Sequence, residues 1–166
     1  MARSYKNQRR QKPVVHDWTA KLAQGEAFEK RCIALLKAQG HQAWKEPESR
    51  YDLRINLEVP LYGTVPLTGE CKYDAMASST GRLALQVWDV GKPRGIHPQG
   101  PNPDLWFHGV GGEAWVIRTK LIQGLVEQLG LTPVSTGDAG TRAKCILLPI
   151  ELARGLVGGT WLQLSE

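Results

Sequence analysis

The sequence predicts an α/β fold in which a mixed central β-sheet is flanked by helices. Three patterns predict it. Residues 52–59 and 65–72 alternate apolar and polar side chains at period two, as half-buried strands do. Residues 25–39 and 120–129 place their apolar residues at helical spacing, and Gly40 and Gly130 stand where each helix must end. Further strand-like runs at 105–110, 113–118 and 144–149 intersperse strands with helices along the chain.

Residues 1–17 are expected to form a flexible basic arm. Arg3, Lys6, Arg9, Arg10 and Lys12 supply five positive charges before the first acid, Asp17, and the whole chain carries +5. The remainder is nearly neutral. A basic arm on a neutral body suits a polyanion held through sequence-independent phosphate contacts, which makes Arg9, Arg10 and Lys12 candidate DNA-binding residues. A merely solubilising tail is the alternative.

Residues 18–166 are expected to form a single domain, since 166 residues with 42% hydrophobic content and six Trp can bury one core. In the first helix Phe28, Cys32, Leu35 and Leu36 fall near one stripe, with Ile33 beside it and Glu26 and Glu29 at its border. Residues 41–45 read as a short strand and 46–50 as a polar turn. The hairpin 52–59/65–72 follows, with Pro60 to Thr64 as its loop. After a Ser-rich turn, Leu83, Leu85 and Val87 mark a further strand or an irregular extension. Residues 91–103 hold four Pro and three Gly, the composition of a binding loop or flap, and carry Lys92 and Arg94 as candidate DNA contacts beside His97. A hairpin at 105–118 follows, with Trp106 and Trp115 expected in the core or a dimer interface rather than as base-stacking platforms. A helix at 120–129, a strand at 144–149, a short helix at 150–156 and a last strand around Trp161 complete the chain.

Cys32, Cys71 and Cys145 lie far apart in apolar stretches without a C-x-x-C pair, as reduced core cysteines of a cytoplasmic protein do. No apolar run approaches the ~20 residues of a membrane span, and the N-terminus lacks the apolar stretch of a signal peptide. A soluble protein without a membrane partner is expected.

The chemistry concentrates on the hairpin. If Val59 opposes Val65, Asp52 falls opposite Lys72 and diagonal to Glu70; sliding the register by two residues sets Asp52 opposite Glu70 instead. Either way the two acids share a face, with Cβ atoms about 5–8 Å apart. Such carboxylates repel unless a cation stands between them, and hard oxygen ligands suit Mg²⁺, with Mn²⁺ able to substitute. A solvated cross-strand ion network among Asp52, Glu70 and Lys72 is the alternative reading. For Glu29 it is a surface ion pair with a neighbouring base.

The helix-borne Glu, the Asp at a strand start and the Glu-x-Lys on the next strand resemble the PD-(D/E)XK nuclease superfamily. Gly25, Glu26, Ala27, Phe28, Glu29 and Lys30, opening a helix that runs to Gly40, are similar to the first helix of archaeal-type Holliday junction resolvases. There a Gly-x-Ala-x-Glu-Arg stretch opens a helix ending in Lys-Gly-Phe; Lys30 stands for the Arg and His41 for the Phe. The resemblance covers residues 25–73, and Tyr51 stands where the superfamily pattern has Pro.

The resemblance implies a restriction-endonuclease-like core and a Mg²⁺-dependent DNA endonuclease, most closely a structure-selective Holliday junction resolvase of a bacterial, archaeal or phage-infected cell. It makes Glu29, Asp52, Glu70 and Lys72 the catalytic set. Asp52, Glu70 and the backbone carbonyl of Cys71 would hold the metal, Glu29 would complete its shell, and Lys72 would act on the attacking water or on the charge developing at phosphate. Symmetric cutting of a four-way junction implies a homodimer. A sequence-specific restriction or homing-type endonuclease on the same core is one alternative, and a non-catalytic DNA-binding module is the other.

Overall fold

The structure is a computed structural model that describes residues 18–47, 49–136 and 143–164. The basic arm, with Arg9, Arg10 and Lys12, lies outside the described residues. In chain order the elements are α1 (Trp18–Ala38), β1 (Gln42–Trp44), β2 (Leu53–Val59), β3 (Gly63–Tyr73), α2 (Ala77–Thr80), β4 (Arg82–Asp89), β5 (Lys92–Pro93) and β6 (Leu105–Val110). There follow β7 (Glu113–Arg118), α3 (Thr119–Gln128), β8 (Val134–Ser135), β9 (Lys144–Pro149), α4 (Ile150–Arg154) and β10 (Gly159–Gln163).

Six strands form the central sheet in the order β1-β2-β3-β6-β7-β10. β3 and β6 run parallel and every other neighbouring pair antiparallel, so the sheet is mixed. Alternation along the strands divides the interior in two. Leu53, Ile55, Phe107 and Ala114 point to one face and pack with Phe28, Cys32 and Leu36 of α1. Trp106, Trp115 and Ile117 point to the other, where they meet Leu83, Leu85, Ile122, Ile146 and Leu148. The architecture is α/β, a mixed central sheet flanked by helices.

A second sheet was not legible in the sequence. β5-β4-β9-β8 form a separate antiparallel sheet, and with α3 it covers the face opposite α1. Period two marks β4 and β9 as strands, but it carries no information about which partner they choose.

α1 begins at Trp18, well before the Gly25 expected from periodicity. Residues 19–24 are largely exposed, so no apolar stripe marks them; Ala20, Lys21, Leu22, Ala23 and Gln24 extend the helix by intrinsic propensity. It ends as its glycine predicts: Gly40 has φ 86°, its N–H bonds Lys37 O at 3.0 Å and the His41 N–H bonds Leu36 O at 3.0 Å. Residues 91–103 are no loose flap. The Arg94 and Ile96 N–H groups bond Val87 and Gln86 carbonyls at 3.1 and 3.0 Å, and Ile96 is buried. No helix among the described residues is long and apolar enough to cross a membrane.

Candidate active site

The β2–β3 hairpin fixes the site's register. Its loop is Pro60 to Tyr62 rather than Pro60 to Thr64, because the Tyr62 N–H closes a turn onto Val59 O at 3.1 Å, with Pro60 leading and Leu61 at φ 71°. Val59 therefore pairs with Gly63, not Val65, and the ladder runs down to Leu53 opposite Gly69. One further step sets Asp52 level with Glu70 instead of Lys72, the second of the two registers considered.

Asp52 stands just before β2, and its Oδ2 accepts the Cys71 N–H at 2.8 Å. The side chain thus takes over where the backbone ladder stops. In a strand a residue's carbonyl points to the same side as its N–H, so the Cys71 carbonyl is directed toward Asp52 as well. The Cys71 side chain faces the other way, into the core under α1 beside Cys32, where burial pushes its thiol well up. Of Cys71 only the backbone belongs to the site.

Glu70 and Lys72 lie in register with Trp106 and His108 of β6. Burial raises the Glu70 carboxyl to about 8, reinforced by the negative charges of Asp52 and Glu29 and opposed by Lys72 and Arg94. Burial also raises Asp52; the Cys71 N–H and the charges of Lys45 and Lys72 work against it, and Glu29 adds to it. Glu29, Asp52, Glu70, Lys72 and Arg94 therefore share one electrostatic neighbourhood. Lys92 is exposed and nearer the β4–β5 hairpin tip, in register with Asp89.

Lys45 is the member that sequence reading missed. It follows β1, whose last pair, Trp44 with Arg54, places residue 45 level with Leu53, next to Asp52. Its Nζ lies 2.6 Å from Glu29 Oε2. The Glu29 hydrogen bond, then the fields of Glu29, Asp52 and Glu26, strengthen the ammonium against its desolvation. A cross-element ion pair of this kind leaves no local signal, since the partners are distant in sequence.

The donor chemistry fits a hard divalent cation. Asp52, Glu70 and the Cys71 carbonyl could supply oxygens, and burial first, then the Asp52 charge, makes an ionised Glu70 costly without a further cation. Glu29 is engaged by Lys45 instead. Among the described residues, no three His, Cys, Asp or Glu side chains already converge as metal ligands.

His108, for which the sequence offered no partner, is fully buried in a relay. Trp106 Nε1 donates to His108 Nδ1 at 3.2 Å, which leaves Nε2 carrying the proton toward Asp74 Oδ2 at 3.4 Å. Burial lowers the imidazole's pKa despite Asp74, so the ring is neutral. Asp74 Oδ2 also accepts the Ala84 N–H at 3.0 Å and so ties β4 to the end of β3. This relay reads as a joint between the two sheets.

A groove of about 680 Å³ lies beside the carboxylates rather than on them, in the turn leading to Asp52. Arg50, Tyr51 and Arg54 line it, with the Arg50 guanidinium 5.2 Å from the Tyr51 ring centroid and Arg54 paired to Glu46 at 2.7 Å. Compared with known proteins, the chain matches no family model, no curated protein and no solved structure.

Proposed function

We propose that this protein is a metal-dependent DNA endonuclease built on a restriction-endonuclease-like core. The observation that carries the reading is the Asp52–Glu70 pair, level across one hairpin, with Glu70 held near 8 by burial and by its acidic neighbours. Carboxylates placed at such electrostatic cost suit a site completed by a cation. Bound there, Mg²⁺ or Mn²⁺ would supply Lewis acidity to a scissile phosphate and acidify a water.

The chain's own residues do the remainder. Asp52, fixed by the Cys71 N–H, presents its second oxygen; Glu70 presents the opposing carboxylate. Lys72, next on the same face of β3, brings its ammonium to the reacting phosphate or water. Arg94 enters from the β4–β5 hairpin, and Arg50 and Tyr51 in the adjoining groove are placed to hold the continuing strand.

A four-way junction is the first substrate to test, because the residues 25–73 resemble junction resolvases, and paired cuts on it require two copies of the chain. A second reading, a DNA-binding module without catalysis, draws on the absence of three converged metal-ligand side chains among the described residues. Labelled four-way junction, linear duplex and single strand incubated with Mg²⁺ or EDTA, beside Glu70→Gln, separate the two. The nuclease cuts in Mg²⁺ alone and loses at least about a hundredfold in rate with Glu70→Gln. Salt-sensitive binding without any cutting would establish the second reading.

A further inference from the structure

We infer that Lys45 is the resident counter-ion of the carboxylate cluster, and that a divalent cation must displace it to engage Glu29. The inference rests on the metal-site reading above but concerns a residue that reading does not need.

Three observations lead to it. The Lys45 ammonium lies 2.6 Å from Glu29 Oε2, contact distance for a charge-assisted hydrogen bond. The Glu29 side chain is only 14% exposed against 51% for Lys45, so the carboxylate is the fixed partner and the ammonium the one with a route to solvent. The pair is also delivered by separate elements, Glu29 from α1 and Lys45 from the strand end beside Asp52, so it bridges the helix to the sheet at the site. A carboxylate that coordinates a cation cannot keep the same oxygen committed to an ammonium. Engagement of Glu29 is therefore a competition between a tethered monovalent charge and a free divalent one.

The competition predicts a pattern that a general field would not give. Removing a positive charge near a metal site strengthens cation binding whether or not Glu29 is ionised. Removing a competitor for Glu29 strengthens it only while Glu29 is a carboxylate.

Mn²⁺ binding, followed by EPR of the free ion or by calorimetry without DNA, tests this in wild type, Lys45→Met, Lys45→Arg, Glu29→Gln and the double variant Glu29→Gln/Lys45→Met. Lys45→Met should bind Mn²⁺ about three- to tenfold more tightly, the range open to a half-exposed ion pair. Lys45→Arg should bind as wild type does. In the Glu29→Gln background Lys45→Met should tighten binding much less, by the field of Lys45 on Asp52 alone. Equal tightening in both backgrounds, or no tightening in either, overturns the inference while leaving the metal site standing. Failure of wild type and every variant to bind Mn²⁺ removes the metal site itself and the inference with it. Thermal melts of each variant exclude unfolding as the cause.

Discussion

Phe28 occupies the space that a side chain on Gly109 would need: a Cβ at residue 109 would stand 2.5 Å from Phe28 Cε2. The contact sets how closely α1 approaches β6, and Phe28 directly precedes Glu29. Gly109→Ala should therefore push the helix away from the sheet and carry Glu29 with it. The expected cost is about 1–3 kcal/mol of stability by denaturant titration. The nuclease activity proposed above should fall further than the folded fraction does. A variant as stable as wild type would show that α1 is free to adjust.

Glu70 makes stability depend on pH in an unusual direction. Its carboxyl is raised from the ordinary 4.5 to about 8. Between those values the folded protein keeps a proton that the unfolded chain releases, so stability falls as pH rises through the window. Glu70→Gln does not titrate and should gain on wild type from pH 5 to pH 8.5, by on the order of 3 kcal/mol. Mg²⁺ should narrow that gap at alkaline pH, because a cation favours the ionised form. Urea melts at three pH values, with and without Mg²⁺, measure both effects; a pH-independent difference between the two proteins would contradict them.

His108 acts in the opposite sense. Its pKa is lowered in the folded protein, so as pH falls below the ordinary 6.5 the unfolded chain takes up a proton that the folded one resists, and stability drops. Protonation would also set a second N–H against the Trp106 donor. His108→Gln keeps one acceptor and one donor without titrating. Its denaturation midpoint should rise more steeply than the wild type's as pH falls from 7 to pH 5.5, because the Glu70 gain is then no longer opposed by His108.

Val90 and Gly91 form the two-residue turn between β4 and β5, with φ 44° and 76°, closed by Asp89 opposite Lys92. Two positive φ values are the signature of a type I′ turn, which favours Asn-Gly. A β-branched residue there is strained, and Val90 is 70% exposed, so little packing offsets the strain. Val90→Asn should stabilise by about 1 kcal/mol, visible as a higher melting temperature. Because the same hairpin leads to Arg94, a higher melting temperature with the DNA affinity proposed above unchanged would show that the turn only shapes the loop.

What could be read in advance was whatever repeats at short range. The period of β2 and β3 exposed Asp52, Glu70 and Lys72, and the helical stripe set Glu29 at its border, because each signal lies within one or two turns or pleats. The register resisted for a local reason of another kind: a three-residue loop with Leu61 in the left-handed region carries no glycine to announce itself. The Lys45–Glu29 and His108–Asp74 contacts stayed hidden because the partners come from different elements, and the second sheet because pairing choice is settled by packing.

The parallel step from β3 to β6 cannot be made by a tight turn; the chain must leave the sheet and return, and residues 74–104 are that excursion. The acids come from α1 and from the β2–β3 hairpin, whereas Arg94 arrives on the detour. The acids and the arginine that faces them are thus encoded in separable stretches of chain. A detour of different length or charge would change the cationic side of the cluster and leave its carboxylates as they are.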